Sequence, residues 1–336
     1  MSQAPIVAII GGGPAGMSCA LWLHNYELHP IIIEREHALG GMARRSPYAN
    51  EWLLGRADES ARENADAFAR HIAGLAVETW LAARPRQLRR GPQGQFLLDV
   101  TLANAASPGV PSTRSLSAGA VVIATGTRFN GEEWIDRVAN ARRMVEQGRL
   151  HVGAPWAGEP DAGPGSHVAI IGGGDNAFDV ARMLVEKGVR VTIVMRSQKA
   201  RARPLMLERL RKHESSGMAR ILAPRSVQKL EEFASGVCLR LDHGDPVEAD
   251  HVLLLLGYRP NTDKDWMAAL ALEQDGRGYL IVDGNMETSC AGVFAVGDVA
   301  NPAHPCIATA LGTGTMAARE IARRIGILAP RSGERE

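Results

Sequence analysis

The chain has 336 residues, 38 basic against 37 acidic, for a formal net charge of +1. That length holds two domains of ordinary size, and the near-neutral balance excludes the footprint of a nucleic-acid or anionic-membrane binder. The longest apolar runs, such as Val252-Leu253-Leu254-Leu255-Leu256, are far too short to span a bilayer, and the four cysteines are never closer than 16 residues, which excludes a local CxxC pair or a zinc knuckle.

In chain order, Ile6-Val7-Ala8-Ile9-Ile10 reads as a buried strand with no secretory signal ahead of it, so the cytoplasm is the expected compartment. Gly11-Gly12-Gly13-Pro14-Ala15-Gly16 follows and opens a stretch with helical spacing. In such a turn the first glycine permits the bend and the second lets the backbone approach a pyrophosphate. The third position must be small so that helix and strand pack closely. The helix N-terminus offers free N–H groups and a positive dipole end to phosphates. Pro30-Ile31-Ile32-Ile33 is the second strand, and Glu34 lies 23 residues past Gly11, where an acid binds a ribose hydroxyl. Gly40-Gly41 comes next, residues 60–83 have helical spacing, and a strand-rich stretch follows. Asn104 to Ser117 reads as a surface loop, and Ala120 to Ile123 as a buried strand closed by Ala124-Thr125-Gly126.

A Gly- and Pro-rich linker, Gly153 to Gly165, precedes a second strand–turn–helix pattern: Val168-Ala169-Ile170-Ile171, then Gly172-Gly173-Gly174-Asp175-Asn176-Ala177. This second unit is expected to run to about Asp250, with residues 252–257 returning to a buried strand. Gly292 to Asp298 is a further apolar strand ending in Gly-Asp, and Ala308 to Arg324 a helix. The polar tail from Ala329 is expected to fray. One glycine fingerprint is a weak signal, since a structural glycine turn of another α/β protein reads the same. Two in one chain suggest two nucleotide sites and electron transfer between two cofactors. The expected fold is α/β: two Rossmann-like three-layer dinucleotide-binding domains, the second (130–249) inserted into the first (1–129 and 250–336).

These motifs, in this order over roughly residues 5–325, resemble the two-dinucleotide-binding-domain flavoproteins, in particular the low-molecular-weight thioredoxin reductases and the ferredoxin–NADP reductases on the same scaffold. The resemblance implies FAD at Gly11, Gly13, Pro14, Ala15, Gly16, Glu34, Arg35, Gly41, Ala124, Thr125, Gly126, Gly297, Asp298 and Ile307. Asp298 would bind the ribityl chain, and the backbone at Ile307 would face the flavin N1/O2 edge. It implies NADPH at Gly172, Gly174, Asp175, Asn176, Ala177, Arg196 and Arg201. The two arginines match a basic cluster that grips the 2′-phosphate, while Met195 and Ser197 replace positions often held by His and Arg. No acid ends this strand, which favours NADPH over NADH. A basic face in solvent is the alternative.

The resemblance also implies hydride transfer from NADPH to flavin with no catalytic side chain. It implies an acceptor such as ferredoxin, flavodoxin or a small molecule, and a homodimer. It implies an inserted domain that rotates about connections near Phe129–Glu132 and Ala249–His251. The region where thioredoxin reductases carry their redox CxxC reads about Pro155-Trp156-Ala157-Gly158, so disulfide reduction is not expected. Pro305-Cys306 stands where they carry Arg-Gln. The other readings are a flavin-dependent small-molecule oxidase and a non-catalytic flavin-binding sensor or scaffold.

Other residues carry two readings each. Cys306 is a thiol activated by a helix N-terminus or a small buried cysteine, the latter expected. Cys19 is core. Tyr48, Trp52 and Trp156 stack on the flavin or pack ordinarily. His304 is a proton donor near the flavin or a surface residue. Arg84, Arg86, Arg89 and Arg90 dock an acidic protein or form a solvated face. The ten histidines form no ligand-like cluster, and no metal is expected.

Overall fold

The computed structural model describes residues 4–47, 50, 52–103, 112–153, 162–234, 236–300 and 304–328. The chain divides into two compact units, residues 1–127 with 259–336, and residues 128–258.

The first unit opens with β1 (Ile6–Ile10), α1 (Pro14–Asn25), β2 (His29–Ile33), α2 (Ala61–Gly74) and β3 (Glu78–Trp80). An antiparallel trio follows: β4 (Ala83–Arg90), β5 (Phe96–Leu102) and β6 (Ser112–Ala118). Thus the second half of the expected 104–117 surface loop is a strand: Leu116 and Ala118 alternate inward and are buried, with polar residues between. The rest of that loop lies outside the described residues. After β7 (Ala120–Ile123), the chain leaves through β8 (Thr127–Phe129).

The second unit runs α3 (Glu132–Arg137), α4 (Ala141–Glu146), β9 (Leu150–Val152), β10 (His167–Ile171), α5 (Asp175–Glu186), β11 (Arg190–Val194), α6 (Pro204–Arg211) and β12 (Ala219–Leu222). An antiparallel trio follows, β13 (Val227–Phe233), β14 (Gly236–Leu241) and β15 (Val247–Ala249), and then β16 (His251–Leu254). The chain returns through β17 (Tyr258–Pro260), which pairs with β8 as a two-stranded ribbon, and ends with β18 (Val293–Ala295) and α7 (Ile307–Arg324). The expected return at 250 is therefore nine residues early. β16 pairs in parallel with β10 and β9, so it belongs to the inserted unit, and the connection lies at Tyr258–Arg259 rather than Ala249–His251.

Each unit is built on a five-stranded sheet with the same kind of crossover order, β18-β7-β1-β2-β3 in the first and β12-β11-β10-β16-β9 in the second. The pairs around β1 and β10 are parallel, and these strands are near-continuous Val, Ile and Leu because both faces are covered. In the first unit Val7, Ile9 and Val122 pack on Met17 and Leu23 of α1 and on Ala317 and Ile321 of α7. Ile10, Ile33 and Val121 face the other way, onto Leu88, Phe96 and Leu98 of the antiparallel trio. In the second, Ile171, Val194 and Leu254 pack on Met144, Leu230 and Leu239. These are the three layers the strand–helix alternation implies. Among the described residues no helix is long and apolar enough to cross a membrane.

Local signals fix the helix ends. Ser60 and Glu63 form a capping box at α2, with Glu63 N–H donating to Ser60 Oγ (3.1 Å) and Ser60 N–H to Glu63 Oε2 (2.7 Å). α1 and α7 cross so closely that a Cβ on Gly314 would lie 2.3 Å from the Ala15 carbonyl oxygen. Ser18 Oγ also donates across that contact to the Leu311 carbonyl (2.8 Å). Gly312, one residue pair away, faces open space. Gly314→Ala should therefore destabilise the chain by about 1–3 kcal/mol through overpacking. Gly312→Ala should stabilise it by roughly 0.8 kcal/mol through helix propensity. Denaturant unfolding of the two variants checks both signs; equal effects would mean that α1 and α7 are not in this close contact.

Candidate dinucleotide sites

The first glycine turn joins β1 to α1. Gly11 donates to the Ile33 carbonyl (2.9 Å) and has φ +115, a conformation that L side chains rarely adopt. A Cβ there would also lie 2.3 Å from the Ala124 carbonyl oxygen, just past the end of β7. A Cβ on Gly16 would lie 2.0 Å from the Gly11 oxygen, so the third glycine serves helix–strand packing as the spacing implies. α1 starts at Pro14 with no side-chain cap bond and no acid in its first turn, which leaves its positive end unneutralised. Gly40 N–H donates to the Gly12 carbonyl (2.8 Å), and Gly41 lies against Gly13, where a Cβ would come within 3.0 Å of the Gly13 Cα.

Glu34 is 5% exposed, and its carboxylate accepts from Gly12 N–H (2.7 Å) and Glu36 N–H (2.9 Å). These charge-assisted bonds tie the end of β2 to the turn. Arg35 points to the surface and pairs with Glu36 (3.2 Å).

Ala124-Thr125-Gly126 is held from far along the chain. Asn261, 4% exposed, donates from Nδ2 to the Thr125 carbonyl (2.8 Å) and accepts from Thr125 Oγ1 at its own carbonyl (3.2 Å). The Asn261 N–H donates to Gly126 (3.0 Å). Sequence spacing does not flag Asn261, because its partner is 136 residues away. Gly297 (φ +71) seats against Ala15 of α1, and its N–H donates to Thr313 Oγ1 of α7 (2.9 Å). Next to it, Asp298 has no hydrogen bond or ion pair among the described residues, and burial pushes its carboxyl up to about 6. A half-buried acid without a partner suits a hydroxyl-bearing ligand.

Ile307, half-buried, is the first residue of α7. Cys306 caps that helix: its Sγ accepts from Thr309 N–H (3.5 Å), while its own N–H donates to Thr309 Oγ1 (3.3 Å). It is half-buried, not the fully buried cysteine expected, because a cap residue sits at the end of the helix rather than in the core. His304 is exposed and its carbonyl accepts from Thr309 Oγ1 (2.9 Å). Cys19 is core, and burial pushes its thiol far up. Trp52 is 67% exposed. Tyr48, Trp156 and the Pro155–Gly158 stretch lie outside the described residues.

The second turn repeats three backbone bonds of the first. Gly172 (φ +154) donates to Val194 (3.1 Å), as Gly11 does to Ile33. A Cβ on Gly172 would lie 2.3 Å from the Leu255 carbonyl oxygen, the counterpart of Ala124. Arg201 N–H donates to Gly173 (2.8 Å), as Gly40 does to Gly12. Met195 N–H donates to Leu222 (2.9 Å), as Glu34 does to Trp80 (2.9 Å). Met195 also follows Gly172 by the same 23 residues. An uncharged Met195, its Sδ 2.9 Å from where a Gly173 Cβ would be, thus stands in the place of Glu34. Gly174 is the N-cap of α5 without a side-chain cap bond, and Ala177 is fully buried. Arg196 and Arg201 are exposed and form no side-chain ion pair among the described residues.

Two of the expected nucleotide ligands are already engaged. Asp175 accepts from the N–H (2.7 Å) and Nε (2.8 Å) of Arg203, and Asn176 Nδ2 donates to Tyr258 Oη (2.8 Å). Tyr258 in turn stacks on Phe129, ring centroids 5.0 Å apart. The basic run on β4 also divides. Arg84, Arg86 and Arg89 are exposed, whereas Arg90 donates to the Ala291 carbonyl and lies over the Phe96 ring at 4.9 Å.

The raised carboxyl of Asp298 has a measurable consequence. Its folded pKa lies above the ordinary value of 3.8, so burial of the charged form costs stability at neutral pH, and the cost is relieved as pH falls through about 6 towards 4. Asp298→Asn should therefore stabilise the cofactor-free chain by about 1–3 kcal/mol at pH 7.5, with the gain gone near pH 4. Thermal melts across that range check it; a gain independent of pH would show that the charge is not the cause.

The model of the pyridine nucleotide-disulphide oxidoreductase family matches residues 5–322. A ferredoxin–NADP reductase of Limosilactobacillus fermentum is 29% identical over 341 residues, covering 97% of this chain and 95% of its own. One of Ignicoccus hospitalis is 27% identical over 317 residues, covering 92% and 94%. Among solved structures, the thioredoxin reductase of T. acidophilum superposes with a TM-score of 0.79 at 23% identity, covering 96% of this chain and 99% of its own. That of Lactococcus lactis gives 0.76 at 24%, covering 96% and 100%. With its two glycine turns inside a match that runs almost end to end, this chain belongs to the pyridine nucleotide-disulphide oxidoreductase family.

Proposed function

We propose that the chain is an FAD-dependent NADPH oxidoreductase of the ferredoxin–NADP reductase type, with FAD on the first unit and NADPH on the second. The observation that carries the assignment is the contrast between two turns of the same backbone design: buried Glu34 after β2, uncharged Met195 after β11. An acid at that position accepts from ribose hydroxyls and repels a 2′-phosphate. Its replacement by Met195, with Arg196 and Arg201 exposed nearby, suits the phosphorylated nucleotide.

On the first unit, the uncapped start of α1 meets the pyrophosphate and Asp298 meets a ribityl hydroxyl. Gly41 and the Ala124–Gly126 turn shape the wall beside them. The N-terminus of α7, at Ile307, presents a positive dipole end to negative charge on the flavin pyrimidine edge. The bound cofactors supply hydride transfer between nicotinamide and isoalloxazine; the protein supplies binding, orientation and electrostatics.

The acceptor that fits is an acidic electron-transfer protein of the ferredoxin or flavodoxin class. Two curated relatives carry the name ferredoxin–NADP reductase, and Arg84, Arg86 and Arg89 stand exposed along β4. A disulfide substrate fits poorly, since the sequence holds no closely spaced cysteine pair and all four cysteines are free thiols. The same reading makes the chain a cytoplasmic homodimer, which sedimentation of the purified protein checks for its oligomeric part.

The chain reconstituted with FAD and mixed anaerobically with NADPH should bleach, with kcat/KM at least tenfold above that for NADH, a gap of about 1.4 kcal/mol. Arg196→Ala with Arg201→Ala should remove most of the gap. A folded chain that holds no FAD sinks the proposal; a cofactor ratio unchanged in the double variant assigns phosphate recognition to other residues.

A further inference from the structure

We infer that Asp175 is a positioning residue that sets cofactor specificity, locking the basic segment 196–203 against the nucleotide-binding turn without touching the nucleotide itself. The inference rests on NADPH being the ligand of the second unit.

Asp175 brings a negative charge to its place. It opens α5, where a dinucleotide pyrophosphate meets the helix N-terminus, and a free carboxylate there repels phosphate. The structure gives it another task. Both carboxylate oxygens are taken by one residue: Oδ1 accepts the Arg203 N–H at 2.7 Å, and Oδ2 accepts Arg203 Nε at 2.8 Å. Two residues before Arg203, the chain is pinned again, where the Gly173 carbonyl accepts from Arg201 N–H (2.8 Å) and Ala202 N–H (3.1 Å). Four hydrogen bonds therefore fasten residues 201–203 to residues 173–175. Between this clamp and the end of β11 hang Arg196 and Lys199, and the side chain of Arg201 stands at the start of the clamp, all three exposed.

The first unit provides the internal control. At equal spacing from its first glycine, Pro14 stands for Asp175 and Met42 for Arg203. The segment after β2 keeps the shared pin, Gly40 N–H to the Gly12 carbonyl at 2.8 Å, but Pro14 carries no carboxylate to make the second. Of the two units, the one whose segment carries exposed cations with no ion pair among the described residues is the one that carries the second pin.

Stability does not account for the pair. Asp175 is 42% exposed and Arg203 50%, and an ion pair in that setting adds little to folding. What it supplies is order in a loop before the ligand arrives. A pre-ordered set of cations grips a 2′-phosphate without the entropy of ordering the loop at binding. NADH has no 2′-phosphate, so the clamp matters to NADPH alone. A carboxylate in contact with the pyrophosphate would affect both nucleotides equally, because both carry it.

The test is the dissociation constant of each nucleotide for the FAD-loaded protein, by titration, in wild type, Asp175→Ala and Asp175→Asn. Asp175→Ala should weaken NADPH about tenfold, which is about 1.4 kcal/mol, and NADH less than about twofold. Asp175→Asn keeps one oxygen acceptor for the Arg203 N–H and should recover part of the loss. Hydrogen exchange without nucleotide should speed up in the peptide holding residues 196–203 in Asp175→Ala, and not in the peptides of the first unit. Tighter or equally weakened binding of both nucleotides overturns the inference, as does an unchanged exchange rate. A wild type that does not prefer NADPH overturns the cofactor assignment itself, whereas a wild-type preference that survives in Asp175→Ala overturns only the role of Asp175.

Discussion

Both units depend on one close approach: a glycine at positive φ set against the carbonyl that follows the next strand of the sheet. Gly11 meets Ala124 and Gly172 meets Leu255, each with room for a hydrogen and none for a carbon, since a Cβ would lie 2.3 Å from the oxygen in both cases. That approach sets the start of the following helix directly over the strand ends. From it follow the need for a small residue at position 16 or 177 and the aim of the helix N-terminus at the crevice beyond the sheet. In the first unit the demand spreads further, because α1 is so deeply seated that α7 must offer Gly314 to cross it.

Given one backbone device used twice, the difference between the sites rests on side chains placed where the device ends. Residue 34 is a carboxylate held by two backbone N–H groups, and residue 195 is a thioether. On the proposed reading, specificity of this kind needs no change of fold: the strand and the turn stay the same, and the charges placed beyond the strand end favour one ribose substituent.

The sequence made the turns, their strands and the inserted order legible, because tight backbone geometry restricts residue type at fixed spacing and buried parallel strands are apolar throughout. Glu34 was legible for the same reason. The return boundary was not. The run at 251–256 would be equally apolar in either sheet, and only its pairing with β10 assigns it to the second unit. Ser112–Ser117 reads as a loop from its serines, yet it is held as a strand by its partner β5, whose pairing supplies what its own propensity lacks. Asn261 and the Asp175–Arg203 clamp escaped for a different reason. Each is a side chain meeting a group far along the chain, and neither periodicity nor local spacing carries that information. Asp175 is legible by its position in the motif, but its bond to Arg203 is not.

Two acids of the first unit show how the fold separates stability from binding. Glu320 is 3% exposed on α7, yet the guanidiniums of Arg323 (2.7 Å) and Arg324 (2.9 Å) hold its carboxyl down to about 2. Its charge is satisfied within the protein, and its contribution to stability is kept down to strongly acid pH. Asp298 has no such partner among the described residues and is pushed in the opposite direction, to about 6. Desolvation acts alone at Asp298, whereas at Glu320 the arginine hydrogen bonds outweigh it. What differs is whether the chain itself supplies the donors. At Glu320 it does, on the same helix. At Asp298 it supplies none among the described residues, in the same unit as the glycine turn, the uncapped helix and the Ala124–Gly126 wall. A carboxylate without donors among the described residues is held at a cost to folding, and a ligand that brought hydroxyl hydrogens to it would offset that cost.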